Sequence, residues 1–438
     1  YQLMQTKIIG DESWAYLSND RINRFDELFR PEIAGLFLER LKTLPFSKSR
    51  FRKSSEYFNI DEMPDSATRK ALLLPFRAKI KSFCSGKKES QNYVISKWLD
   101  FICLGGVGII LIPLILSFTS YGETDFLTSE VKTLTLGLAL ILNYPHFMHS
   151  YQLFFESYKQ IDPADTKQIK KFKQIIYLVP SIFFSIALIG LVTSQELCFN
   201  LLISLMFFSV GWHYVKQGYG VLMLSCNLNK VNLSQHERNT ILTICYSVWL
   251  AAWGLNNAGA ASPESFGVSA LNLKIPESIL FTLLLVAVSA SIEFFRLLIA
   301  RKLKGEAIPN FIALSGFFVT IYIWMFFSNI ALYFLLIPAL HSLQYLAITY
   351  RAKKNQFNGT LANQNFRRFL FIGLATGVTF FLIIPKSLDF FLGSSYSGIS
   401  PQIFSLIIIT FINLHHYFID SVIWKRENKY VMKNLTKI

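Results

Sequence analysis

Residues 143–158 read N-Y-P-H-F-M-H-S-Y-Q-L-F-F-E-S-Y, and the class of this chain turns on how that stretch is placed. It closes an apolar run, yet it carries His146 and His149 three residues apart, and Pro145 where lipid-facing residues are expected. A proline there removes a backbone hydrogen bond and would kink a helix beside His146. Four more histidines occupy comparable settings: His213 in G-W-H-Y, His341 in A-L-H-S, and His415 with His416 in N-L-H-H. His236 alone lies in an obviously polar segment.

Histidines in apolar runs acquire meaning only if the runs are membrane spans. Of 438 residues, 52% are hydrophobic and 16% charged, whereas soluble domains carry about a quarter charged residues. A span needs about 20 mostly apolar residues. Ten segments qualify: 98–118, 134–155, 175–192, 201–219, 241–255, 279–300, 311–327, 330–350, 369–384 and 403–424. The expected fold class is therefore an all-α polytopic membrane protein of about ten transmembrane helices. It divides into an N-terminal region (1–97), a transmembrane domain (98–424) and a basic tail (425–438). Within the first of these, 21–44 spaces Ile22, Phe25, Phe29, Ile33, Phe37 and Leu41 as an amphipathic helix, suited to a membrane surface or to the protein's own cytoplasmic face.

Charge supplies an independent test of the count. The formal net charge is +15, but lysines and arginines fall in every second connection, around 159–173, 216–238, 296–304, 351–368 and 425–437. By the positive-inside rule both termini are cytoplasmic, and the charge is an orientation signal rather than a nucleic-acid footprint. Five scattered cysteines without a C-x-x-C indicate neither a disulfide framework nor a thiolate metal site.

On this topology the even-numbered spans carry polar groups towards the cytoplasmic side. They are His146, His149, Gln152 and Glu156 on the second; His213 and Gln217 on the fourth; Glu293 and Arg296 on the sixth; His341 and Gln344 on the eighth; and Asn413, His415, His416 and Asp420 on the tenth. Ionisable residues at membrane depth are costly without a partner or cavity and mark function by default. Neutral imidazole is a common ligand of zinc, iron and copper. The expected metal ligands are thus His146, His149, His213, His341, His415 and His416. Adjacent His415 and His416 diverge by about 100° on a helix, so one of the two faces the centre. Glu156, Glu293 and Asp420 would supply a carboxylate ligand or proton relay, with Glu293 and Arg296 also readable as a local ion pair. Asp420 lies four residues from His416, and Gln152, Gln217 and Gln344 are placed to orient ligands or a cofactor.

The histidine pairs resemble those of membrane fatty-acid desaturases and alkane hydroxylases, which build di-iron sites from H-x(3–4)-H and H-x-x-H-H boxes. No H-x-x-H-H occurs here, and the six intramembrane histidines are fewer than those enzymes use. Trp212–His213 is similar to the W-H of membrane-bound O-acyltransferases, without their surrounding arginine and aspartate signature. Neither a G-x-G-x-x-G after a strand nor a P-loop lysine is present. Three functions satisfy these readings. The first is a metal-dependent oxidoreductase or oxygenase, with iron ahead of zinc or copper, acting on a lipid-soluble substrate at the cytoplasmic leaflet. The second is a haem- or quinone-binding electron-transfer subunit, and the third a transporter or structural subunit of a larger membrane complex. Expected partners are membrane lipids and a hydrophobic small molecule, with no nucleic acid.

Overall fold

Backbone amides in lipid must bond within their own segment, so apolar stretches of this length become helices. The computed structural model is all-helical apart from one two-stranded ribbon, and describes residues 93–110, 133–257, 264–326, 331–357 and 362–436. The amphipathic segment 21–44 lies outside those residues, in the separate unit Tyr1–Gly86; all that follows concerns the unit Lys87–Ile438.

The chain runs through α1 (Lys97–Cys103), α2 (Tyr144–Lys159), α3 (Thr166–Lys173), α4 (Val179–Thr193), α5 (Glu196–Leu228) and α6 (Gln235–Leu255). After the ribbon come α7 (Glu277–Leu303), α8 (Phe311–Phe318), α9 (Ala331–Gln356), α10 (Ala362–Val378), α11 (Ile384–Leu392), α12 (Ile403–Ile423) and α13 (Lys429–Leu435). Among the described residues, five helical stretches are long and apolar enough to cross a membrane: Thr166–Thr193, Glu196–Leu228, Glu277–Leu303, Ala362–Tyr396 and Ile403–Ile423. This is a helical membrane protein. Their outer faces carry large exposed apolar side chains, such as Ile182, Leu188 and Val192 on α4 and Phe281, Ile292 and Ile299 on α7.

The remaining expected spans differ for physical reasons. Segment 98–118 lies partly outside the described residues, and Phe311–Ile323 is short. Helix does cover the expected 134–155, 241–255 and most of 330–350, with α2, α6 and α9 as its main parts, but polar residues dilute them. They sit inside the bundle, where a helix need not be apolar all round: His146, His149, Ser150, His341, Ser342 and Gln344 are all buried.

Pro145 does not simply kink its helix. A π-helical turn, Ala139–Asn143, precedes α2, and similar turns at Gln174–Leu178 and Thr379–Ile383 precede Pro180 and Pro385. In each case the residue four before the proline, whose carbonyl the ring would otherwise strike, lies in the wider turn. A fourth π turn, Val319–Ile323, has no proline after it.

The two ends of the bundle are distinct. At one end β1 (Glu264–Ser265) and β2 (Val268–Ser269) pair antiparallel through Phe266 and Gly267. Both turn residues have positive φ (52° and 78°), which matches a two-residue hairpin. This ribbon lies over the starts of α5 and α12: the Leu271 amide donates to Ser204 Oγ at 2.7 Å, and Ser400 Oγ donates to the Phe266 carbonyl at 2.6 Å. At the other end Arg351 ties α9 to α13 and to the start of the described chain, donating to the carbonyls of Leu435 and Tyr93, each at 2.8 Å. The basic α3 and α13 belong to that second end. α5 runs through the middle, packed on α4, α6, α8 and α12, while α2 packs on α10 and α12.

Candidate metal centre

Four helices that start or end far apart in sequence bring one imidazole each to a common point. His146 on α2, His213 on α5, His341 on α9 and His416 on α12 are all buried. Their rings form a closed square, with centroids 5.2 Å apart for His146–His341 and 4.9 Å for His341–His213. The other two sides are 4.9 Å for His213–His416 and 4.7 Å for His416–His146. Two groups of donor atoms within 4.8 Å of one another result, His146–His341–His416 and His213–His416–Asp420, sharing His416.

The hydrogen bonding sets the tautomer of His146. Its Nδ1 is 3.0 Å from the Asn143 carbonyl, which only accepts, so Nδ1 carries the proton. Ser342 Oγ is also 3.0 Å from that nitrogen. The unprotonated Nε2 then faces His416 Nε2 at 3.2 Å. Metal-binding histidines typically have a carbonyl holding the outer nitrogen and a lone pair directed inward in this way. Ligand atoms on a tetrahedral ion with metal–nitrogen distances of about 2.0 Å lie about 3.3 Å apart. Asp420 Oδ2 is 3.5 Å from His416 Nε2 and 3.8 Å from His213 Nε2, slightly wide of that value.

Several buried polar atoms here lack a partner. Among the described residues His213 Nε2, His341 Nδ1 and His416 Nδ1 have no hydrogen bond. Leaving a buried donor or acceptor unmade costs about 1–3 kcal/mol each, and native interiors avoid it. Asp420 is buried beside these rings with no lysine or arginine within ion-pair distance among the described residues; the Tyr345 hydroxyl donates to its Oδ1 at 3.3 Å. A cation at the centre would satisfy His213 Nε2 and the carboxylate together, whereas His416 Nδ1 is the nitrogen opposite the one that faces them.

The other expected site residues are placed elsewhere. His149 stacks on Phe369 (4.2 Å between centroids), and its Nδ1 is 2.9 Å from Gln152 Oε1. His415 donates from Nε2 to the Ile175 carbonyl at 3.0 Å and accepts from the Tyr151 hydroxyl at 2.8 Å, so both its nitrogens are used. Glu156 is ion-paired with the buried Lys353 and accepts from the Tyr430 hydroxyl at 3.0 Å. Glu293 pairs with Arg296 at 2.6 Å and meets His236 at 3.2 Å. Gln217 and Gln344 brace backbone near the centre rather than rings. Gln217 Nε2 donates to the His341 carbonyl at 3.0 Å and to Gln344 Oε1 at 2.9 Å, and Gln344 Nε2 donates to the Leu104 carbonyl at 2.7 Å.

Reading the sequence overlooked Tyr345, Ser150 and Ser342. Ser150 Oγ donates to Tyr345 at 2.6 Å, and the Tyr345 ring lies 5.0 Å from His146. A signal was available: Tyr345 is four residues after His341 and Ser150 four after His146, the spacing that shares a helix face.

Fold and site together define a helical membrane protein with a buried histidine group able to hold a metal ion. Beyond that class the comparisons add no relative: no family model, no curated protein and no solved structure matches this chain.

Proposed function

We propose that this chain is an integral membrane metalloprotein whose ion is held by His146, His213, His341 and His416 with Asp420, and that it is an iron-dependent oxidoreductase or oxygenase of a lipid-soluble substrate. The observation that carries the metal is the buried, unpartnered His213 Nε2 beside the Asp420 carboxylate, which His416 Nε2 also faces. Iron is favoured because His213, His416 and Asp420 have the composition of the two-histidine, one-carboxylate set of non-haem iron oxygenases. Such an ion would supply redox chemistry, and the chain's own residues would orient the ligands, exclude water and hold a proton between Tyr345 and Asp420. Haem fits less well, since rings 4.7–5.2 Å apart in edge-to-face contact leave no slot for a macrocycle. The same reading takes the chain as ten spans with cytoplasmic termini.

Elemental analysis of the detergent-purified protein tests this. Iron is expected in the wild-type protein, strongly depleted in His213→Ala and in His416→Ala, and retained in His149→Gln, whose ring serves Gln152 and Phe369 instead. Wild-type protein free of any transition metal after purification without chelators, and reloading none, would leave a structural subunit of a membrane assembly as the better account.

A further inference from the structure

A cavity of about 520 Å3 adjoins the histidine square, within the range of small-molecule sites. Its inner end is His341, and Asn256, Asn257 and Glu264 lie at the other. On every helix that contributes a ring and also lines the cavity, the lining residues run up to the histidine layer: 143–147 at the start of α2, 206–214 on α5, 337–341 on α9 and 409–417 on α12. Because α5 and α12 start beneath the ribbon, the cavity reaches the centre from the ribbon end, opposite the basic connections.

Its walls are aromatic, with Phe207, Tyr214, Trp249, Trp253, Trp324 and Tyr417 all contributing. Trp249 spends its indole N–H on the Phe208 carbonyl at 2.9 Å. Trp324 differs. It is 1% exposed, its Nε1 has no partner among the described residues, and its ring stands edge-on 6.4 Å from His341. An indole N–H only donates, so its missing partner is an acceptor. Flat walls suit a flat guest, because aromatic faces and edges pack best against other π systems.

We propose that this cavity is the substrate site of the metal centre, admitting from the ribbon end a lipid-soluble molecule with a planar apolar body and an acceptor oxygen. Trp324 binds the oxygen and holds it beside His341. The substrate assignment rests on the metalloprotein reading above; the binding site itself does not.

Quinone and hydrocarbon probes of one shape separate the two. Menadione and 2-methylnaphthalene are titrated against the full chain in lipid nanodiscs, with midpoints taken from tryptophan quenching and metal content measured on the same samples. Saturable menadione binding is expected, with the hydrocarbon about tenfold weaker for want of the acceptor. Trp324→Phe should erase that ratio. Val210→Phe and Ile409→Phe, which fill the cavity, should each weaken menadione at least tenfold while the protein stays monodisperse. Non-saturable quenching in the wild type, or unchanged midpoints in both cavity-filling variants, overturns the site, and an unchanged probe ratio in Trp324→Phe overturns the acceptor assignment. Intact binding in wild-type protein that holds no metal sinks the metalloprotein reading and leaves the cavity standing.

Discussion

Tyr345 is the residue on which the carboxylate of the centre depends. Ser150 donates to its oxygen at 2.6 Å, so its own proton goes to Asp420, 3.3 Å away. If Asp420 is a ligand, that hydrogen bond fixes which oxygen faces the rings, and losing such a partner typically costs 10- to 100-fold in metal affinity. Tyr345→Phe keeps the ring that packs on His146 and removes only the hydroxyl. It should retain helix content and lose its ion to a competing chelator at least tenfold more readily; wild-type retention would remove Tyr345 from the site. His146, His213, His341 and His416 were legible because the alternation of basic loops put them at one depth, and Asp420 because it follows His416 by one turn. The turning away of His149 was not, since it is decided by α10: a Cβ on Gly373 would come within 2.3 Å of its ring, so glycine there makes the seat. No local pattern encodes a contact across more than 200 residues.

Among the elements, α6 shows how a helix of mixed character is held. Ser234 and Glu237 form a capping box, with the Glu237 amide donating to Ser234 Oγ at 3.2 Å and the Ser234 amide to Glu237 Oε2 at 2.6 Å. Arg301 of α7 reaches the same carboxylate at 3.0 Å and so ties the two helices together. Glu237 precedes the apolar part of α6. Burial pushes its carboxyl up, but the Ser234 amide and hydroxyl and Arg301 outweigh that and leave it below its ordinary value. A depressed carboxylate adds stability above its unfolded titration range and loses it as pH falls through the folded value. Glu237→Gln should therefore cost about 1–3 kcal/mol at neutral pH, read as a lower unfolding temperature, and the gap from wild type should narrow in acid. A gap that widens in acid would mean that the ion pair is not its source. Helices were legible from apolar runs alone. The response to the prolines was not: Pro145 is plain in the sequence, but a proline in a helix can bend it or widen the preceding turn, and here the turn widens.

At the scale of the whole molecule, the two ends of the bundle carry opposite chemistry. One bears the ribbon, the starts of α5 and α12, and the outer end of the aromatic cavity; the other bears α3, α13 and the lysine-rich connections. Positive loops are retained on the cytoplasmic side during insertion; by that rule the ribbon is expected outside, and a substrate using the proposed cavity would arrive from the outer half of the bilayer. That route would differ from the cytoplasmic-leaflet one expected for a site among cytoplasmic-side histidines, because depth along a helix does not say from which side the space around it opens. The orientation is directly measurable. Ser269, exposed on β2, and Lys170, exposed on α3, mark the two ends. Each is replaced by cysteine in a Cys198→Ser background, since Cys198 at the start of α5 lies at the ribbon end. A membrane-impermeant maleimide should label Ser269→Cys in intact cells and Lys170→Cys only after permeabilisation. The reverse pattern would place the cavity mouth in the cytoplasm and, with it, the basic connections outside, against the charge rule on which the ten-span reading stands.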